Sequence, residues 1–287
     1  MSPIKTILMH MDDSPASTVR LEVANALAER FDATANALYA VMPAFMQYAL
    51  AYSGGAEMAP LMWEYEMQRR ASARARFDSV VGSVAAKRLA HIEWAETVGE
   101  PSALFARQAL GADLLLLGQH DPGSAATGRD VRAGVSADFA ESVLLASGKP
   151  ALLLPTIFKP APIGRVVLVA WKARRESARA LSAALPFLQS AERVILALWA
   201  DPGDGEDAAT GPDIELALRR HGVNVIVQRE VASAREVGEL LLSKAADLGA
   251  DLLVMGCYGH GRAREWVLGG ASRTVLQSMT VPVLMAH

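Results

Sequence analysis

The sequence predicts an α/β protein made of two tandem repeats, each a parallel sheet covered by helices. Three pairs of segments carry the repeat: Ile4–Met11 with Gly164–Trp171, Ala112–Gly118 with Ala250–Gly256, and Lys149–Pro155 with Val281–His287. Between these segments, short apolar runs alternate with amphipathic stretches, and near-continuous Leu/Val runs indicate strands that are buried on both faces. Strand–helix alternation with right-handed crossovers then predicts a doubly wound sheet in each repeat.

The repeats predict two domains, residues 1–155 and 164–287, joined by the proline-containing segment Thr156–Gly164. The offset between the copies falls from 160 to 138 and then to 132 residues, so the first repeat is longer before and after its fourth strand. The ligand crevice of such a sheet lies outside the carboxyl ends of strands one and four, where the winding reverses.

The apolar runs predict five strands in each repeat. In the first they are Thr6–Met11, Asn36–Val41, Ile92–Val98, Asp113–Gly118 and Ala151–Pro155. In the second they are Arg165–Trp171, Arg193–Trp199, Asn224–Val231, Asp251–Gly256 and Val283–Ala286. The amphipathic stretches predict the helices Ala16–Arg30, Ala59–Leu89, Ser102–Leu110, Ala137–Ser147, Arg175–Gln189, Pro212–His221, Val237–Leu248 and Gly269–Met279.

Composition excludes several classes of function. The net charge of −3 gives no electrostatic basis for binding nucleic acid or an anionic membrane. Acidic residues come too early for a secretory signal, and no apolar stretch approaches the roughly 20 residues of a membrane span. The single cysteine, Cys257, excludes an internal disulfide and is interpreted as a spectator thiol. We therefore expect a soluble, cytoplasmic protein.

The segment from Asp251 to Ser272 is the most informative about function. An apolar run that ends at Met255 is followed by Gly256, Gly259 and Gly261, and then by a helical pattern that begins near Gly269. A glycine-rich turn between a strand and a helix N-terminus is how α/β proteins hold phosphate. The alternative is that the glycines only allow the loop to turn.

This segment resembles the nucleotide-binding signature of the universal stress protein family, G-x2-G-x9-G-[ST]. Gly256, Gly259 and Gly269 fit its glycines, whereas Gly270 stands where Ser or Thr is expected and Ser272 follows two residues later. Ile7–Ser14 is similar to the family's first strand, which ends in the acidic residue near the adenine, here Asp12.

The resemblance implies two Rossmann-like domains of the adenine nucleotide alpha hydrolase-like type, each a five-stranded parallel sheet of order 3-2-1-4-5. It also implies that the second repeat binds an adenine nucleotide, ATP or AMP, and that Mg²⁺ accompanying ATP is the only metal. Domains of this family pair through their fifth strands, so the resemblance also implies pairing of the two repeats or a homodimer. The residues expected to bind it are Gly256, Gly259, His260, Gly269, Gly270, Ala271 and Ser272, with Asp12 as a candidate in the first-repeat crevice.

The two repeats depart from the family pattern in different ways. In the first, Asp121 replaces the second glycine, and Ala137 and Asp138 align with Gly269 and Gly270, so Asp138 would cap the helix and repel phosphate. In the second, Lys172 replaces the acidic residue, where it either attracts phosphate or lies in solvent. Ser272 binds phosphate or caps its own helix. Asp12 binds a ligand or begins the first helix, although Pro15 favours Asp13 or Ser14 as the cap.

We therefore expect a stress-response regulatory protein with a nucleotide in its second repeat and an unidentified regulatory partner. The alternative is a non-nucleotide sensor or scaffold that uses Met42–Arg70, which is rich in Met and aromatic residues, for an apolar ligand or protein. That segment could equally pack a long helix onto the sheet. No catalytic constellation is evident, so we expect no enzyme activity beyond slow ATP hydrolysis.

Overall fold

The computed structural model describes residues 4–43, 59–84, 92–121, 135–200, 214–231, 237–257 and 270–287. The chain divides into two compact units, residues 1–149 and 150–287.

The first unit contains a parallel sheet of order β3-β2-β1-β4. Its strands are β1 (Thr6–Met11), β2 (Thr34–Tyr39), β3 (Ile92–Glu96) and β4 (Leu114–Gly118). Its helices are α1 (Pro15–Phe31), α2 (Ala59–Val84), α3 (Pro101–Ala109) and α4 (Phe139–Ser147). Leu114–Leu117 of β4 are all buried, as expected of a strand covered on both faces.

The second unit contains the strand order β8-β7-β6-β9-β10, all parallel. Its strands are β5 (Ala151–Leu154), β6 (Val166–Trp171), β7 (Arg193–Ala200), β8 (Val225–Val231), β9 (Leu252–Gly256) and β10 (Val283–Ala286). Its helices are α5 (Arg175–Leu188), α6 (Ile214–Arg220), α7 (Val237–Asp247) and α8 (Gly270–Ser278). The last strand of the first repeat, β5, lies in this unit and pairs antiparallel with β10.

The predicted α/β tandem fold is confirmed, and every predicted strand and helix is present with ends that differ mainly by one or two residues. The largest displacement is in β2, which was predicted at Asn36–Val41 and lies at Thr34–Tyr39. Pairing explains it, because Thr34 is already in register with Thr6 at the start of β1. The far end of the predicted helix Ala59–Leu89 and the start of Pro212–His221 lie outside the described residues.

An aspartate at the start of the fourth strand fixes the first strand in each repeat. Asp113 Oδ2 accepts hydrogen bonds from Lys5 N, Thr6 N and Thr6 Oγ1, each at 2.9 Å. Asp251 Oδ1 accepts them from Gly164 N at 2.8 Å and Arg165 N at 3.0 Å. The central strand pair, β1 with β4 and β6 with β9, is thus positioned in the same way, and the crevice lies at its opposite, carboxyl end.

Candidate functional site

Asp12 follows β1 directly, at the carboxyl end where the crevice of the first repeat was predicted. Its Oδ1 accepts hydrogen bonds from Ser14 N at 2.9 Å and from the hydroxyls of Ser14 and Ser17 at 2.5 and 2.6 Å. Its Oδ2 accepts one from Arg20 Nη2 at 2.9 Å. Both carboxylate oxygens are therefore engaged by the protein itself. The helix α1 begins at Pro15 with Ser14 at the cap position, as Pro15 predicted.

Arg20 extends from α1 into the crevice beneath the end of β4. It is 4% exposed, and its Nε donates to His10 O at 3.0 Å. A Cβ added to Gly118 would lie only 2.5 Å from Arg20 Nη1, so the guanidinium fills the space next to this glycine. The side chain thus occupies the point between β1 and β4 where a sheet of this type binds its ligand.

The buried groups of this crevice have shifted pKa values. Burial alone would raise the pKa of Asp12, but the adjacent Arg20 guanidinium, His10 and the two serine hydroxyls hold it well below its usual range. Burial lowers the pKa of His10 from 6.5 to about 4, against the opposing effect of Asp12. His10 is therefore neutral at pH 7, and its Nε2 donates to Ala40 O at 2.8 Å. The arrangement is an internally compensated ion pair beside a neutral imidazole.

Phe139 closes the same crevice from the side of α4. It is the first residue of that helix, and its ring centroid lies 4.5 Å from that of His10 and 5.6 Å from that of Phe105. Asp138 stands at the cap position but makes no side-chain hydrogen bond to the helix backbone; its Oδ2 accepts one from Ser142 Oγ at 3.3 Å instead. The predicted cap by the Asp138 carboxylate was therefore wrong, because Ser142 engages it.

The second repeat carries small residues at the positions that fill the first crevice. The repeat offset of 160 residues pairs His10 with Ala170 and Arg20 with Ala180, and the offset of 132 pairs Phe139 with Ala271. Ala180 is buried within α5, and Ala271 lies in the first turn of α8. The imidazole, guanidinium and phenyl groups of the first crevice are thus replaced by methyl groups.

Gly256 ends β9 at a close approach to the first turn of α5. A Cβ there would lie 2.5 Å from Ser177 N and 2.6 Å from the Glu176 carbonyl carbon, so only glycine fits at this position. Glu176 is buried, which by itself raises its pKa. The hydrogen bond from Arg175, a backbone hydrogen bond and the charges of Arg175 and His287 together outweigh burial, so the pKa of Glu176 is lowered. Lys172, the replacement for Asp12, is half-buried in the turn before this helix.

The other predicted binding residues lie at the start of α8. Gly270 is exposed, Ala271 is partly exposed and Ser272 is 4% exposed. Ser272 is the third residue of α8 and lies inside its first turn. Gly259, His260 and Gly269 lie outside the described residues, as does the loop that would join them. The structure therefore describes the two ends of the predicted site.

Two further sequence interpretations concern chemistry. Cys257 is fully buried, and a redox role requires an exposed thiol. Among the described residues, no group of three or more His, Cys, Asp or Glu side chains could hold a metal ion. In the same part of the chain, no helix combines the length and apolarity needed to span a bilayer.

Sequence reasoning missed Arg20 and Phe139 as the residues that occupy the first crevice. A signal for Arg20 existed: with Ser17, Ala24, Leu27 and Phe31 it lies on the buried stripe of α1, where a charged residue requires a partner. Phe139 had a weaker signal, because it directly follows the two positions that align with Gly269 and Gly270.

Comparison with known proteins gives matches at the level of family and fold. The model of the universal stress protein family matches the chain twice, over residues 3–155 and 165–287. A universal stress protein from Archaeoglobus fulgidus DSM 4304 is 18% identical with a TM-score of 0.71, and the match covers 98% of this chain and 95% of that one.

A functionally unknown protein from Pseudomonas aeruginosa PAO1 is 13% identical with a TM-score of 0.61, over 98% of this chain and 92% of that one. At these identities the likeness shows the shared fold. No curated protein matches this chain.

Proposed function

Because the chain belongs to the universal stress protein family, we propose that it is a cytoplasmic stress-response regulatory protein that binds an adenine nucleotide, ATP or AMP, in its second repeat. The observation that carries this proposal is the asymmetry of the two crevices. Arg20, His10 and Phe139 fill the first crevice, whereas alanines stand at all three equivalent positions of the second. The second repeat therefore lacks the three side chains that fill the first crevice, which favours it as the place for a nucleotide.

The phosphates would lie at the amino end of α8. The first backbone N–H groups of a helix have no partner within it, and the helix dipole favours negative charge there. Gly270 is exposed at this end, so its backbone is open to a ligand. The binding set that we propose is Gly256, Gly259, His260, Gly269, Gly270, Ala271 and Ser272, with Mg²⁺ accompanying the phosphates of ATP.

The base side of the second crevice differs from the family pattern because Lys172 replaces a carboxylate. An ammonium group donates hydrogen bonds and cannot accept them, so Lys172 cannot make the contacts that Asp12 would make. We therefore expect the phosphates to contribute more to affinity than the base. ATP should then bind more tightly than AMP, and the bound state would be read by a regulatory partner or a second copy of the chain rather than consumed by catalysis.

Isothermal titration of the full chain with ATP and AMP, with and without Mg²⁺, tests the proposal. Gly269→Asp places a carboxylate at the amino end of α8, where it should abolish binding by competing for the phosphate-binding amides. Ala137→Asp is the matched control, because Ala137 holds the equivalent position in the first repeat. No binding of either nucleotide at millimolar concentration would remove the proposal, and equal affinity in Gly269→Asp would place the phosphates elsewhere.

The alternative function is a sensor or scaffold that binds an apolar ligand or protein through the Met/aromatic segment of the first repeat. The observation that favours it is that Leu61 and Trp63 of α2 are 60% and 67% exposed. Native mass spectrometry of the purified chain tests it, since a tightly bound small molecule would add to the mass. An unmodified mass would count against such a ligand.

A further inference from the structure

A second polar cluster lies beside β1 and β2 in the first unit, on residues that the crevice does not use. Asp13 follows β1, Tyr39 ends β2, and Arg69 faces them from α2. Tyr39 and Arg69 are each only 3% exposed. Tyr39 packs with Ala73, one turn beyond Arg69, and its phenol interacts electrostatically with the Arg69 guanidinium. Three elements therefore bring these side chains together at the carboxyl end of the sheet.

Both Tyr39 and Arg69 have a buried polar atom that makes no hydrogen bond to the described part of the chain. These atoms are Tyr39 Oη and Arg69 Nη1. The remaining contacts of Arg69 are long: Nε and Nη2 both donate to Asp13 Oδ1 at 3.3 Å. Unpaired buried donors are rare because each loses its hydrogen bonds to water without replacement, so a pair of them on neighbouring elements requires an explanation.

Both groups can donate a hydrogen bond, and the guanidinium can do nothing else, which limits the chemistry of a shared partner to an acceptor. An arginine is always protonated and only donates. Burial raises the pKa of Tyr39, with Arg69 opposing, so its hydroxyl keeps its proton at neutral pH. Since the guanidinium is charged and its buried Nη1 makes no hydrogen bond within the described part of the chain, an anionic oxygen is favoured over a neutral one.

Charged side chains surround the two donors, and the carboxylates of Glu66, Asp13 and Asp12 interact electrostatically with Tyr39. On the same helix, Arg70 pairs with Glu96 at 2.5 Å and Arg74 with Asp78 at 3.0 Å. Aromatic contacts hold the two donors in place: the Tyr39 ring stacks on Trp94 at 5.8 Å, and the Arg69 Cζ lies 5.6 Å from the centroid of the Tyr65 ring. The donors are therefore fixed in position before a ligand arrives.

We propose that Tyr39 and Arg69 form a buried site for one oxyanion group, the carboxylate or phosphoryl group of a small ligand, with Asp13 positioning the guanidinium. The ligand oxygen accepts hydrogen bonds from Tyr39 Oη and Arg69 Nη1. This site is separate from the nucleotide site proposed for the second repeat, and it makes the first repeat a ligand-binding module although its own crevice is filled.

The site is tested by titrating the full chain with sodium phosphate and with sodium acetate, with sodium chloride at matched ionic strength as the control. Calorimetry measures the binding, and the midpoint of thermal unfolding measures the stabilisation by each anion. The titrations are repeated in Gly269→Asp, which disables the proposed phosphate loop of the second repeat and so separates the two sites. Binding should persist in this variant. Acetate binding alone indicates a carboxylate ligand, and phosphate binding alone indicates a phosphoryl ligand.

Tyr39→Phe is the decisive variant because it removes only the hydroxyl and keeps the ring against Trp94. Without an anion it should leave the thermal midpoint unchanged or raise it, since an unpaired buried hydroxyl is lost. With the anion, affinity should fall about tenfold or more, as expected for a hydrogen bond to a charged group. Arg69→Gln should abolish binding, whereas Arg74→Gln, a matched loss of charge on the same helix, should not change it.

Two results would overturn the proposal. One is the absence of any binding of phosphate and acetate to the unmodified chain at tens of millimolar. The other is unchanged anion affinity in Tyr39→Phe, which would show that the observed anion lies elsewhere. Because Tyr39→Phe retains the packing of Tyr39, this second test stands even where Arg69→Gln fails to fold.

Discussion

Acidification should weaken the first unit through protonation of His10, at a higher pH than protonation of Asp12. The pKa of His10 in the folded chain is lowered from 6.5 to about 4, because the buried ring cannot be hydrated and burial therefore disfavours its charged form. Between these two pH values the unfolded chain binds a proton that the folded chain does not. The stability conferred by neutral His10 is therefore complete above about pH 6.5 and is lost progressively as the pH falls towards 4.

The magnitude follows from the size of the shift. One pKa unit corresponds to about 1.4 kcal/mol, so the first unit should lose about 2 kcal/mol between pH 7 and 5 and about 3 kcal/mol by pH 4. Asp12 adds little above about pH 5, because its folded pKa lies below the ordinary 3.8 and it is ionised in both states there. Its contribution is lost progressively as the pH falls below about 5.

Hydrogen–deuterium exchange of the full chain measures this loss locally, after correction for the intrinsic pH dependence of exchange. Peptides from β1 and β4 report on the first unit, and peptides from β6 and β9 serve as an internal control because Ala170 stands in place of His10 there. The variant His10→Gln keeps a donor for Ala40 O and does not titrate. It should remove the pH dependence of β1 between pH 7 and 4.5.

The reasoning would be refuted if β1 kept the same opening free energy from pH 7 to 4.5. It would also fail if His10→Gln showed the same pH profile as the unmodified chain, because the titrating group would then be another residue. A parallel decline in β1 and β6 peptides would indicate a general effect of charge rather than protonation of His10.

Two further predictions concern the Asp12–Arg20 ion pair and the close approach at Gly256. Arg20→Met should lower the free energy of unfolding of the first unit by about 3–5 kcal/mol, because Asp12 keeps its charge without its partner. Adding Asp12→Asn should recover much of this loss. Urea unfolding measures both variants, and a double variant no more stable than Arg20→Met would contradict the ion-pair interpretation. Gly256→Ala should destabilise the second unit by about 1–3 kcal/mol, because the added Cβ would meet backbone atoms of α5. Gly82→Ala should instead stabilise α2 by about 0.5–1 kcal/mol, because a Cβ there has nothing within 4 Å. Thermal unfolding distinguishes the two variants, and equal midpoints would show that α5 can move away from Gly256.

The elements of the fold could be predicted because the signals that define them are local. Short continuous apolar runs such as Leu114–Leu117, set between longer amphipathic stretches, indicate buried strands, and Pro15 after Ser14 indicates a helix start without reference to the rest of the chain. Strand ends were less predictable, as β2 shows, because the register with a neighbouring strand decides where pairing begins. The glycine loop after β9 was likewise a local pattern, although its central residues lie outside the described part of the chain.

The contents of the first crevice could not be predicted from the same patterns. The comparison of the repeats pointed to Asp138 as the group that would exclude phosphate, whereas the structure places Arg20 and the adjacent Phe139 in the crevice. The position of Arg20 on the buried stripe of α1 indicates that it needs a partner but does not say which one, and Phe139 at the start of a helix fits an ordinary amphipathic pattern. Their role depends on the direction in which each side chain leaves its helix.

The sequence by itself determined the duplicated α/β architecture and the repeat in which the glycine pattern is retained, because both follow from short-range periodicity and from comparison of the two copies. The order of strands was implied by the resemblance to the universal stress protein family. Only the tertiary structure decided that Arg20 neutralises Asp12 beneath Gly118, and that Tyr39 and Arg69 present unpaired donors beside it. Those contacts join residues on different strands and helices, and burial sets their energies, so they exist only once the strands and helices have packed.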